Sequence, residues 1–247
     1  MTDPARRAAS APEPSDLAER PDAAVHAVGI GPGAREYLLP VAARAIETAD
    51  VVVGFESVVA FVADLPTGDV LTCGYDDQAE TLDRFADRVA AGERGTAVLM
   101  GDPNHSGYQF LGRVEAAVDA PVRVVPGISA IQVAASRART PIEDSRFVTL
   151  HRRGSLADDR ETLREAVGAD HLLVIPRPYD WMPGDIGTDL VEHGADPTLD
   201  ALVFEHLTHD EEKRHETTLG DLAAHAGADR SDDSPFSNLT VLVVRAD

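Results

Sequence analysis

Lysine is almost missing from this chain. Of its 22 basic residues only Lys213 is lysine, against 43 Asp and Glu, which leaves a net charge of −21. That imbalance argues against a nucleic-acid backbone as partner, because such a partner needs clustered cations. The single cysteine, Cys73, excludes a disulfide framework and a multi-cysteine metal site, and reads as a buried spectator. No apolar run reaches membrane-spanning length. The N-terminal MTDPARRAASAPEPSDLAERPDAA lacks the apolar core of a signal peptide, so a cytoplasmic protein is expected. Its Ala, Pro and charged residues read as a disordered tail over residues 1–24. Also missing are a G-x-S-x-G elbow, a phosphate loop with its Gly-Lys, and H-E-x-x-H. Acid in excess, with arginine in place of lysine, fits a protein adapted to a high-salt cytoplasm. There a Debye length of about 3 Å screens self-repulsion, and the acidity describes the medium rather than the ligand.

What is present is an alternation of apolar runs and amphipathic segments. Val25–Ile30, Val51–Gly54, Val70–Cys73, Thr96–Met100 and Val122–Val125 read as strands, with helices expected at Tyr37–Ala49 and Gln78–Ala91. In the second helix Leu82, Phe85, Ala86 and Val89 share one face. Strands separated by helices imply a mostly parallel, covered sheet. After a break near Arg137–Asp144 come strands at Phe147–Leu150, His171–Ile175, Ala201–His206 and Leu239–Val244, with helices at Asp158–Val167 and Asp185–His193. HLTHDEEKRHETTLGDL reads as a hairpin around the polar turn Asp210–Lys213. The expected architecture is α/β, with an N-terminal α/β domain over 25–140, a C-terminal α/β domain with a mixed sheet over 145–247, and a cleft between them.

Three turns carry the candidate chemistry. Gly29-Ile30-Gly31-Pro32-Gly33-Ala34 resembles a dinucleotide fingerprint. Against that, Pro32 removes an N–H that a pyrophosphate would need. The second strand ends in Gly54-Phe55 where an acidic ribose ligand is wanted, and the following helix is delayed by Arg35-Glu36-Tyr37. A tight turn without ligand and a loop shaping another pocket both stay open. Gly101-Asp102-Pro103 and Pro126-Gly127-Ile128-Ser129 each end a strand and open a helix, where small residues allow something bulky to lie against the backbone. Asp102 and Ser129 are open between helix capping and ligand contact.

The densest cation cluster is His151-Arg152-Arg153, placed just after a strand. It is either an acid-balancing surface or a site for bidentate carboxylate binding. His206, His209 and His215 lie near acids in the hairpin, where a solvated face is favoured over a metal site.

Gly29–Gly33, Gly101-Asp102-Pro103, Pro126–Ser129 and Leu150-His151-Arg152, in this order, resemble the tetrapyrrole methylase family over Val25 to Val244. The resemblance implies two α/β domains with a cofactor cleft between them, a homodimer, and S-adenosylmethionine as cofactor. The implied reaction is methylation of a ring carbon of a cobalt-precorrin, at carbon 5, in cobalamin biosynthesis. Carried over by motif, the cofactor pocket takes Gly101, Asp102, His105, Gly107, Ser129 and Ala130 from the first domain, and Pro176, Phe204 and Asn238 from the second. Gly29, Gly31, Pro32, Gly33 and Arg35 then border the substrate. His151, Arg152 and Arg153 hold its carboxylates. Relatives often carry small or aromatic residues where this chain has Asn104-His105-Ser106. Asp102 is expected to position the cofactor without touching its sulfonium, and no catalytic base and no metal ligand is named. A separate decarboxylating enzyme is the expected partner besides the corrinoid. Other activities of the family remain as alternatives: a different precorrin position, uroporphyrinogen, or diphthamide synthesis. Outside the family the alternatives are a nicotinamide-dependent oxidoreductase and a non-catalytic ligand-binding protein.

Overall fold

Three of the apolar runs, VHAVG, VVVGF and GTAVL, are apolar or small almost throughout, as strands covered on both faces must be. They become β1 (Val25–Gly29), β2 (Val51–Phe55) and β4 (Gly95–Leu99), joined by β3 (Asp69–Cys73) and β5 (Val122–Val125). All pair in parallel, in the order β3-β2-β4-β1-β5. The computed structural model describes residues 3–10, 25–152, 154–227 and 234–246, and the chain divides into two compact units, Met1–Ser129 and Ala130–Asp247.

In the first unit, helices α2 (Pro40–Glu47) and α3 (Glu56–Val59) cover one sheet face. There Ala42, Ile46, Val58 and Val59 pack with Val28, Val52 and Val98. Helices α4 (Gln78–Ala90) and α5 (Tyr108–Ala117) cover the other, setting Leu82, Phe85, Leu111 and Val114 against Val25, Ala27, Val53 and Leu99. Helix α2 begins at Pro40 rather than Tyr37: proline fits the first helical position, where its missing N–H costs nothing, and Arg35–Tyr37 forms a separate 3₁₀ turn. Neighbours β1 and β4 send their chains in opposite directions along the sheet, β1 toward β2 and β4 toward β5. That divergence is the switch point at which an open α/β sheet forms its crevice.

The N-terminal segment departs from the expected tail. Pro4–Ser10 forms helix α1, packed on α5. Gly112 of α5 makes the seat, since a Cβ there would lie 1.8 Å from the Pro4 carbonyl oxygen. The Arg7 guanidinium donates to the Glu115 carbonyl at 2.9 Å. Residues 11–24 lie outside the described residues.

The second unit is built on β6 (Ser145–Thr149), β7 (His171–Ile175), β8 (Asp200–Glu205), β9 (Lys213–Thr218) and β10 (Thr240–Val244). Its order is β6-β7-β10-β8-β9, with β6–β7 parallel and the other pairs antiparallel, a mixed sheet. Helices α7 (Ala157–Ala166), α8 (Pro183–Glu192) and α9 (Leu219–Ala223) supply Leu163, Ile186, Leu190, Leu219 and Leu222 to a core with Val148, Val174, Val203 and Leu242. Helix α6 (Ala130–Ala138), which the pattern of the sequence groups with the first half, packs on β7 and β10. The division therefore falls before α6, not near 140–145.

Candidate functional site

At the β1/β4 switch point the two loops are stitched together. Gly101 donates its N–H to the Gly31 carbonyl at 2.8 Å, and Gly31 returns the bond to Gly101 at 3.2 Å. Both hold positive φ, 64° and 85°, which glycine adopts without steric cost. The loop after β5 closes on the same point. A Cβ on Gly127 would lie 2.1 Å from the Gly101 carbonyl oxygen, and one on Gly29 would lie 2.5 Å from it. This changes the meaning of those glycines. Gly29 and Gly127 make room for neighbouring backbone rather than for something bulky, and Gly107 makes room for the Leu99 side chain. Three strand ends are thereby locked into one rigid platform.

Asp102 fastens it. Residue 102 is 8% exposed. One carboxylate oxygen accepts the Asn104 N–H at 2.6 Å and the Asn104 side-chain amide at 2.8 Å, while the other accepts the Gly127 N–H at 3.2 Å. The first bond caps a turn of π-helix over Pro103–Gly107 that leads into α5. Asp102 is therefore a cap and also a tie between the loops after β4 and β5. The pairing of Asp102 with Gly127 is what a strand-by-strand reading overlooks. Asn104 is exposed and His105 half-exposed beside it, Ser129 is buried at the end of the first unit, and Ala130 opens α6.

Among the other expected residues, two arginines are already engaged. Gly29, Gly31 and Pro32 are buried and Gly33 half-buried. Arg35 is ion-paired with Asp64, and Arg152 with Asp159, whose carboxylate also takes the Arg152 Nε–H at 2.9 Å. His151 lies at the surface, and partial desolvation of its ring lowers its pKa. The positive charge on offer is thus smaller than the residue types imply, because Arg35 and Arg152 each already have a local carboxylate. Arg153 lies outside the described residues. Cys73 is buried, and burial together with Asp77 pushes its thiol up to about 11, which removes it as a nucleophile at neutral pH.

In the second unit Pro176 and Phe204 are buried, Phe204 to 1% exposure, with the Arg214 guanidinium 5.9 Å from its ring. A ring so deep in β8 is a core residue first. Asn238 is exposed and donates to the Tyr179 hydroxyl at 3.3 Å. His215 is not simply a solvated hairpin residue: its Nε2 lies 2.7 Å from the buried Glu205 carboxylate.

Comparison with known proteins gives a consistent picture. The family model described as Tetrapyrrole (Corrin/Porphyrin) Methylases matches residues 24–223. A protein of Methanocaldococcus jannaschii named probable cobalt-precorrin-7 C(5)-methyltransferase is 27% identical, over 90% of this chain and 98% of that one. Among solved structures, the methyltransferase CobJ superposes with a TM-score of 0.72 at 22% identity, covering 90% of this chain and 94% of that one. A uroporphyrin-III C-methyl transferase from Thermus thermophilus, complexed with S-adenosyl homocysteine, gives 0.66 at 22% identity, covering 90% and 91%.

Proposed function

This chain belongs to the tetrapyrrole methylase family, and on that footing we propose that it transfers a methyl group from S-adenosylmethionine to carbon 5 of cobalt-precorrin-7. The observation that carries the choice of substrate is the similarity to the Methanocaldococcus jannaschii protein, which runs nearly end to end on both chains.

The residues present suit such a cofactor. When bound, it supplies an electrophilic methyl on a positively charged sulfur. A free carboxylate at that sulfur would stabilise the ground state over the transition state and slow the reaction. The Asp102 carboxylate has both oxygens occupied by N–H donors of the protein. It therefore acts by holding the platform of Gly101 and Gly127, with Asn104 and His105 at its rim. Alignment of the reacting carbon on a rigid platform is the main rate contribution expected of the protein.

The substrate's acetate and propionate groups are assigned to Arg152 and Arg153, and His151 and Arg35 are further candidates for the same role. Arg152 must exchange Asp159 for a substrate carboxylate, and Arg35 must exchange Asp64. Such exposed pairs are worth no more than about 1 kcal/mol, so the exchange is cheap.

A calorimetric titration with S-adenosylhomocysteine and, separately, NAD tests the cofactor. Binding of the first and not the second is expected, and the reverse result would reject the methyltransferase reading.

A further inference from the structure

Among the buried acids, Glu205 has no part in the site as described so far, and its surroundings give it one. We propose that Glu205 is a positioning residue whose carboxylate sets the Ser237–Leu239 turn and, through it, the side chain of Asn238. The inference rests on the reading of Asn238 as a cofactor contact.

Glu205 ends β8 at 3% exposure, flanked in register by Lys213 on β9 and Thr240 on β10. Its two oxygens serve two different segments. One lies 2.7 Å from Nε2 of His215, the diagonal neighbour on β9, and the other accepts the Ser237 N–H at 2.6 Å. The turn is completed by Leu239 N–H donating to Ser237 Oγ at 3.1 Å and by the Thr240 hydroxyl donating to the Ser237 carbonyl. His206 N–H donates to the Leu239 carbonyl at 2.9 Å. Behind it, the Phe236 ring meets those of His215 at 5.5 Å and His225 at 5.9 Å, both edge-on.

Above this buried frame sits an exposed polar pair, Asn238 and Tyr179. The backbone around it is strained. Tyr179, His206 and Thr208 all hold positive φ, at 78°, 50° and 71°, and none is glycine. Thr208, β-branched, is the costliest of these, and its N–H is held by the Glu212 carboxylate at 2.8 Å. Such strain persists only where the surrounding bonds over-determine it, and it gathers where geometry matters for function.

Stability alone gives little reason for a carboxylate at this depth. An apolar residue of similar shape commonly serves a fold as well as a buried charge, or better. What a carboxylate adds is two acceptors at a fixed spacing, one for each segment. Glu205 is a strut between β9 and the turn that carries Asn238.

The test is a double-mutant cycle on the full chain, read by calorimetric titration of S-adenosylhomocysteine beside thermal unfolding. Glu205→Leu and Asn238→Ala are each expected to weaken binding about tenfold, and the double variant to bind no more weakly than Asn238→Ala alone. Glu205→Gln keeps an oxygen for the Ser237 N–H and is expected to stay within about threefold of the parent. A purely structural role would lower the melting temperature without that coupling. Additive losses, or parental affinity in Glu205→Leu, overturn the proposal. Parental affinity in Asn238→Ala removes its premise, and absence of binding by the parent protein defeats the functional reading itself. If Glu205→Leu does not fold, Glu205→Met, of similar volume and without either acceptor, takes its place in the cycle.

Discussion

The carboxylate of Asp102 accepts the backbone N–H of Gly127 across 3.2 Å, joining the loop that follows β4 to the loop that follows β5. The same side chain caps the turn before α5 through Asn104. One residue therefore holds together two walls that the chain visits 25 positions apart.

Asp102→Ala leaves the Asn104 and Gly127 N–H groups without their acceptor in a largely buried place. A loss of about 1–3 kcal/mol is expected, seen as a lower urea midpoint with an unchanged slope. Asp102→Asn keeps one acceptor and is expected to recover part of it. Parental stability in Asp102→Ala would mean that the tie is not formed.

Gly127→Ala places a methyl group where the Gly101 carbonyl already sits, at 2.1 Å. Backbone must move, and a cost of at least about 3 kcal/mol or failure to accumulate as folded protein is expected. Gly74→Ala is the control, because its nearest neighbour is the Asp77 carboxylate at 3.6 Å. Equal stability of the two variants in thermal unfolding would refute the locked platform.

Much of this arrangement is written in local pattern and some of it is not. β1, β2 and β4 are legible because strands covered on both faces must be apolar along their length. The Gly-Asp-Pro turn marks Asp102 as either a cap or a ligand contact, and the fold shows the cap. Its second partner, Gly127, is a tertiary neighbour that no local spacing reveals. Helix α1 is hidden for a related reason: PARRAAS has no apolar stripe, and its seat is the missing side chain of Gly112, far along the chain. Glu205 is one acid among 43, and β9 and β10, which bury it, come later in sequence. The charges of Arg35 and Arg152 are legible, but their acid partners are set by the fold.

In the second unit Asp189 of α8 lies between Arg160 and Arg164 of α7, with contacts of 2.5 and 2.6 Å, and Arg160 also covers the Trp181 ring at 4.3 Å. Burial alone would raise the Asp189 pKa, but hydrogen bonds from Arg164 and Arg160 outweigh it and hold the group below the ordinary carboxylate value. Its folded pKa is thus the lower one. The contribution is complete above the unfolded value, near about 3.9, and is lost as pH falls through the folded value. Asp189→Asn should cost on the order of 2–3 kcal/mol at neutral pH and flatten the acid limb of the stability profile below about pH 4. An acid limb as steep as that of the parent protein would contradict the assignment.

Arg152 and its acid Asp159 offer a test of the substrate assignment in both directions. Replacing Arg152 and Arg153 by alanine should raise the KM for the corrinoid more than it weakens S-adenosylhomocysteine binding. Asp159→Asn frees the Arg152 guanidinium and should lower that KM by about two- to fivefold, the range an exposed ion pair allows. Unchanged KM in both variants would remove these arginines from the substrate site.

The most direct test of the central claim is methyl transfer itself. The purified protein is incubated anaerobically with cobalt-precorrin-7 and S-adenosylmethionine carrying a carbon-13 methyl group, and the product is read by mass spectrometry and carbon-13 NMR. Methyl transfer to ring carbon 5 predicts a corrinoid heavier by one labelled methyl group bonded there, with S-adenosylhomocysteine formed in equal amount. A label on another ring carbon, or a corrinoid that gains no methyl while a different tetrapyrrole does, would contradict it.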